Sequence, residues 1–203
     1  MINANFKAVF NRLFEPVGRF FIRVGLTPNQ LTTIGLFFGV LTCWVYIWTR
    51  NAVLFTALIV FCAFFDAFDG AVARLGGKVT RFGSYFDAVC DRLFEGFVLV
   101  SVAYVTGYWI LIGVLLIGFF VISYAKARAA MEVSISNLEW PDLMEKAERG
   151  VIFILGLLIS EMTHIWILGH DLFYWVLVVL LVLVYGTVIQ RILRAKRYIE
   201  SRS

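Results

Sequence analysis

The sequence predicts an all-α integral membrane protein with six transmembrane helices and an N-terminal interfacial amphipathic helix. Three observations carry that prediction. Hydrophobic residues make up 61% of the 203-residue chain and charged residues 16%, and the mean hydropathy is +0.86, all far from soluble proteins. Six apolar runs of about 20 residues, the length that crosses a bilayer, account for nearly all of the chain, so residues 1–203 read as one membrane domain. Finally, four aspartates between positions 66 and 91 stand at the ends of such runs, where an uncompensated carboxylate is costly.

Residues 2–24 alternate Phe, Leu and Val with Lys7, Arg12, Arg19 and Arg23 at roughly helical period, the pattern of a helix lying in the membrane surface. The stretch lacks the unbroken apolar core and small-residue cleavage site of a signal peptide. The first span is expected over about 28–48. Thr27 is its N-cap, Pro28 its first helical residue and Gln30 completes a capping box. Gly35 and Gly39 form a GxxxG face that permits close helix contact.

The second span, about 53–73, ends in Asp66 and Asp69, and the third, about 82–104, begins with Asp87 and Asp91. Glu95 continues the Asp87–Asp91 row and is expected to satisfy a neighbour such as Arg92. The fourth span covers about 108–130, the fifth about 149–167 and the sixth about 172–192. A basic tail with Arg191, Arg194, Lys196 and Arg197 closes the chain. With an even span count, every Lys and Arg except Arg50 falls at or near one face. By the positive-inside rule that face is cytoplasmic, holding both termini and the aspartates. The net charge of +4 is thus distributed by membrane side, which argues against nucleic-acid binding. Cys43, Cys62 and Cys90 lie inside apolar runs without a metal or disulfide spacing and read as packing residues.

Asp66 and Asp69 are spaced i,i+3, and Asp87 and Asp91 i,i+4, so each pair occupies one helix face. The short basic turn from Leu75 to Arg81 makes the two helices antiparallel neighbours and brings the faces together. Four oxygen donors without Cys or His describe a site for Mg²⁺, Mn²⁺ or Ca²⁺ rather than zinc. Two divalent ions balance four carboxylates, and a two-metal site suggests phosphoryl chemistry. Gly70, Ala73 and Gly83 clear backbone space beside the acids, and Arg74, one turn beyond Gly70, is placed to pair with a phosphate.

The stretch DAFDGAVARLGGKVTRFGSYFDAVCD matches, without departure, the pattern D-x2-D-G-x2-A-R-x8-G-x3-D-x3-D. The chain thereby resembles the CDP-alcohol phosphotransferases, membrane enzymes of phospholipid synthesis. The resemblance implies displacement at the β-phosphate of a CDP-lipid by an alcohol, with CMP leaving. It implies two divalent cations, Mg²⁺ or Mn²⁺, on Asp66, Asp69, Asp87 and Asp91, with Asp91 also the base on the attacking hydroxyl. For the CDP end it points to Asn29, Thr32, Gly70, Arg74 and Thr80, and it suggests a homodimer.

Three further pieces resemble phosphatidylinositol phosphate synthases and archaetidylinositol phosphate synthases. They are Tyr124-Ala125-Lys126-Ala127-Arg128-Ala129, Ala147-Glu148-Arg149 and Val188-Ile189-Gln190-Arg191. The implied acceptor is L-myo-inositol 1-phosphate and the donor CDP-diacylglycerol or CDP-archaeol. Lys126, Arg149 and Arg191, from three helices at one depth, could converge on its phosphate dianion, with Arg128 beside Lys126. Glycerol 3-phosphate is the competing acceptor, since it too is a phosphate ester. A divalent-cation transporter is the reading from another class, but a fixed guanidinium beside the ions would oppose cation passage.

Overall fold

The computed structural model describes residues 15–77, 79–133 and 143–202, with the side chains of Asp66, Ala67 and Arg202 outside that description. The chain is nearly all helical and forms two compact units, residues 1–101 and 102–203. Four described helices are long and apolar enough to cross a membrane: Pro28–Thr49, Ala52–Leu75, Trp109–Glu132 and Leu172–Ser201. Two other long helices are less apolar. One carries Asp87, Asp91, Arg92 and Glu95 in its first half, and the other opens with Lys146, Glu148 and Arg149.

In the first unit, α1 is helical over 15–24, while residues 2–14 of the expected surface helix lie outside the described residues. Glu15 and Arg19 pair across one turn of it at 2.5 Å. Helix α2 (Pro28–Thr49) starts as its sequence dictates: Thr27 accepts the Gln30 N–H, the Gln30 side chain returns to the Thr27 N–H, and Pro28 occupies the first turn. Helix α3 (Ala52–Leu75) follows after a two-residue turn. Arg50 takes a left-handed conformation at φ 52°, and Asn51 caps α3 by accepting the Leu54 N–H at 2.9 Å. Tyr46 and Phe55 stack across that turn with ring centroids 4.0 Å apart, which ties α2 to α3 as an antiparallel pair.

Helix α4 (Arg81–Thr106) is capped by Thr80, whose hydroxyl accepts the Gly83 N–H at 2.9 Å. The GxxxG face of α2 is used inside the chain. A Cβ at Gly35 would sit 3.1 Å from Phe65 of α3, and one at Gly39 2.5 Å from the Phe94 ring of α4. The face that would suit a helix dimer is therefore filled by the chain's own aromatics. A cavity opens between the acid-bearing ends of α3 and α4.

In the second unit, α7 (Leu172–Arg202) packs against both α5 (Trp109–Glu132) and α6 (Lys146–Thr163). Phe173, Leu177, Leu180, Val184 and Thr187 of α7 are all buried and recur every three or four residues, one helical stripe. Helix α6 stops four residues before the expected 167 because His164 takes a left-handed cap at φ 48°. A two-stranded hairpin, β1 (Trp166–Ile167) and β2 (His170–Asp171), then leads into α7. The sequence alone allows the fifth span to end at about 159 or at 167, and β1 falls within the longer of these. Cys43, Cys62 and Cys90 are free and buried, in keeping with packing.

Candidate active site

The last turns of α3, the first turns of α4 and the start of α2 enclose a cavity of about 320 Å³. From α2 come Pro28, Asn29 and Thr32; from α3 come Asp69, Gly70, Ala73 and Arg74; from Val79 to Asp87 come Thr80, Gly83 and Ser84 as well. All five residues expected at the CDP end thus face one space, together with Asp69 and Asp87.

The sequence places each of these groups for a local reason. Asp69, Gly70, Ala73 and Arg74 share a face because their i, i+1, i+4, i+5 spacing keeps them on one side of the helix. The Arg74 guanidinium folds back over Gly70, where a Cβ would come 3.1 Å from Nη1. Gly83 is equally constrained: a Cβ there would lie 3.0 Å from the Thr80 hydroxyl and 3.2 Å from Asn29 Oδ1. Thr80, Ser84, Asp87 and Asp91 follow the i, i+4, i+7, i+11 row of one α4 face. That row could have added Ser84 to the candidates from sequence alone.

Asp69 is buried, 6% exposed, and accepts a 2.6 Å hydrogen bond from the Thr32 hydroxyl. Thr32, expected at the donor, is therefore also in direct contact with a carboxylate of the acid cluster. Asp91 does not line the cavity, whereas Asp69 and Asp87 do, so α3 and α4 each turn one acid into it. Arg92 approaches Asp91 at 3.9 Å and binds Glu95 at 2.7 Å, the partnership expected for Glu95. Asp66 lies in α3, but its side chain falls outside the described residues. Among the described residues no three His, Cys, Asp or Glu side chains are gathered around one point. The donor chemistry nonetheless fits hard divalent ions, since Asp69 and Asp87 open oxygen ligands into one cavity whose lining includes no Cys or His.

The same cavity suits phosphate. The N-terminal turns of α2 and α4 both open into it, bringing the positive ends of two helix dipoles. Arg74 adds a guanidinium. Carboxylates for cations beside a guanidinium and helix N-termini for anions form an arrangement suited to a phosphate ester that carries bound metal.

The basic residues expected at the acceptor lie in the second unit. Arg149 of α6 is buried, donates to the Met144 carbonyl at 3.2 Å, and stands 4.7 Å from the centre of the Phe119 ring of α5. Arg191 of α7, also buried, donates to the Ile122 carbonyl of α5. Phe119, Ile122 and Lys126 follow the i, i+3, i+7 row of one face, so both arginines dock on the side of α5 that carries half-buried Lys126. Arg128 is not brought there. Two residues further on, it points about 200° around the helix from Lys126 and pairs with Glu132 at 2.5 Å, both half-exposed.

Two motif residues turn out to be structural. Glu148 accepts the Glu145 N–H at 2.9 Å and completes the capping box of α6. Gln190 accepts the Leu143 N–H at 2.8 Å, fixing the chain just ahead of α6. The three-residue spacing of Glu145 and Glu148 was the available signal for the first; nothing local announced the second.

The family model described as CDP-alcohol phosphatidyltransferase matches residues 25–189, most of the chain. The chain belongs to this family. Like other CDP-alcohol phosphatidyltransferases it is a membrane transferase of phospholipid synthesis, which sets aside the cation-transporter reading. It is 31% identical to the archaetidylinositol phosphate synthase of Pyrococcus horikoshii over 188 residues, covering 92% of each chain. With the phosphatidylinositol phosphate synthase of Mycobacterium marinum it shares 32% identity over 193 residues, 89% of this chain and 79% of that one. Among solved structures it resembles Mycobacterium tuberculosis phosphatidylinositol phosphate synthase with CDP-DAG bound, at TM-score 0.78 and 28% identity over 91% of this chain and 94% of that one. The same enzyme in complex with manganese and citrate matches at TM-score 0.79 and 28% identity, over 90% and 88% of the two chains.

Proposed function

We propose that this CDP-alcohol phosphatidyltransferase moves a phosphatidyl or archaetidyl group from its CDP carrier to L-myo-inositol 1-phosphate and releases CMP. The observation that carries the reading is the cavity in which Asp69 and Asp87 face Asn29, Thr32, Gly70, Arg74 and Thr80. The similarity to phosphatidylinositol and archaetidylinositol phosphate synthases supports the acceptor.

In this reading Arg74 and the N-terminal turns of α2 and α4 hold the donor diphosphate, and Gly70 and Gly83 let it approach the backbone. Asp66, Asp69, Asp87 and Asp91 hold two divalent ions, Mg²⁺ or Mn²⁺, which when bound supply charge stabilisation at the transferring phosphate. Asp91 accepts the proton of the attacking inositol hydroxyl, whose oxygen bonds to the β-phosphorus as the bond to the CMP oxygen breaks. Lys126, Arg149 and Arg191 hold the acceptor's phosphate dianion. Six spans in one membrane domain, preceded by the interfacial helix, put both termini and the acids on the cytoplasmic side. The enzyme works as a homodimer.

Radiolabelled CMP release with inositol 1-phosphate, free inositol and glycerol 3-phosphate tests the reading. A site built around a dianion rejects the unphosphorylated analogue by orders of magnitude. Equal rates with free inositol would remove the basic cluster from acceptor binding, and a preference for glycerol 3-phosphate would make the protein a phosphatidylglycerophosphate synthase.

A further inference from the structure

The hairpin between α6 and α7 contains a conflict between residue and backbone. Its two-residue loop, Leu168-Gly169, has φ of 50° and 82°, the positive-φ pattern of a type I′ turn, which favours Asn-Gly or Gly-Gly. A leucine is sterically disfavoured there. Nor does packing account for it, since Leu168 is 84% exposed and Trp166 beside it 70%. Ile165 and Ile167 are exposed too, and residues 165–169 include no ionisable side chain.

The hairpin is fixed at the ends of two apolar helices. Trp175, in the first turn of α7, donates its indole N–H to the Ile167 carbonyl at 3.0 Å, and His170 stacks on Tyr174 at 3.9 Å. Asp171 accepts both the Tyr174 N–H at 2.8 Å and the Tyr108 hydroxyl at 3.1 Å. Tyr108 immediately precedes α5, and both α5 and α7 are long and apolar enough to cross a membrane. The hairpin is thereby held at the level where those helices leave the bilayer. Tyr108, Trp109, Trp166, Tyr174 and Trp175 gather at that level, the residue types that sit between acyl chains and headgroups.

We propose that this hairpin is a lipid anchor, with Trp166 and Leu168 inserted into the headgroup and acyl-chain boundary of the membrane. The lipid surface supplies the apolar cover that the protein does not, and that cover offsets the left-handed leucine. The anchor also has a task to perform. Helix α6 has 18 residues, about 27 Å at 1.5 Å per residue, and its first turn is charged, so it falls short of a hydrocarbon core of about 30 Å. Apolar residues just beyond its C-terminal end extend it to match. Because α6 and α7 carry Arg149 and Arg191 toward their other ends, the anchor sets the depth of both arginines.

The test labels Leu168→Cys in the full chain with an environment-sensitive fluorophore. The native Cys43, Cys62 and Cys90 are buried, and unlabelled wild type serves as control. The protein is reconstituted into phosphatidylcholine and phosphatidylglycerol vesicles with nitroxides at defined chain depths. The expected result is a blue-shifted emission, lost with shallow nitroxide lipids and retained in aqueous iodide. Quenching by iodide but not by the lipid nitroxides would place the hairpin in water and overturn the proposal. Protection from both would show protein covering it, a second copy of the chain included, and would overturn it equally. Trp166→Cys, two residues away and outside the left-handed turn, repeats the measurement should Leu168→Cys fold poorly.

Discussion

Replacing Thr32 by Val removes one hydroxyl and keeps the branched shape, so it deletes the 2.6 Å hydrogen bond to Asp69, the shorter of that hydroxyl's two contacts, the other being the Pro28 carbonyl at 3.1 Å. Asp69 is 6% exposed, and water does not readily replace the lost donor. A hydrogen bond to a charged group contributes about 1.5–3 kcal/mol, which corresponds to roughly 10- to 150-fold in an equilibrium constant. Loss of a hydrogen bond that orients a metal ligand typically lowers metal affinity about 10- to 100-fold, so two independent scales agree. Mn²⁺ binding to purified Thr32→Val, read by electron paramagnetic resonance, should weaken by that factor. CMP release should need correspondingly more Mn²⁺, and Thr32→Ser should recover most of both. Unchanged Mn²⁺ affinity, with only the KM for CDP-lipid raised, would show that the hydroxyl serves the donor and not the carboxylate.

Asp87→Asn, or metal removal with EDTA, should lower turnover by orders of magnitude while the protein still inserts and folds; near-normal CMP release in either would end the metal reading. Arg74→Ala should raise the KM for CDP-lipid by about ten-fold or more, the worth of a charged bidentate contact, and leave the acceptor KM largely unchanged. Lys126→Ala should weaken the acceptor phosphate strongly, whereas Arg128→Ala, which loses only a half-exposed pair with Glu132, should change activity by no more than about five-fold. Gly39→Ala would force a methyl to within 2.5 Å of the Phe94 ring and should destabilise by about 1–3 kcal/mol, seen as a lower Tm in detergent with monomer–dimer balance unaffected.

What the sequence determined by itself was local. The Thr27-Pro28-Gln30 cap, the helical periods and the i,i+3 and i,i+4 acid pairs depend on neighbours within one turn, and apolar runs of spanning length need no partner to be recognised. Helix starts were therefore legible to within about three residues, and Gly70 and Arg74 were legible because they lie within a turn or two of Asp69, whereas Asn29, Thr32 and Thr80 rested on the family resemblance. The hairpin was not. Ile165-Trp166-Ile167-Leu168 is apolar and free of proline, so it reads as continued helix, and only the contacts of Trp175, His170 and Asp171 decide otherwise. The sequence could not choose whether Gly35 and Gly39 face another chain or Phe65 and Phe94 of their own, because both satisfy the same small-residue spacing. Likewise the Thr32–Asp69 bond joins residues 37 apart. Such contacts are chosen by packing among whole helices, and no period of a single helix encodes them.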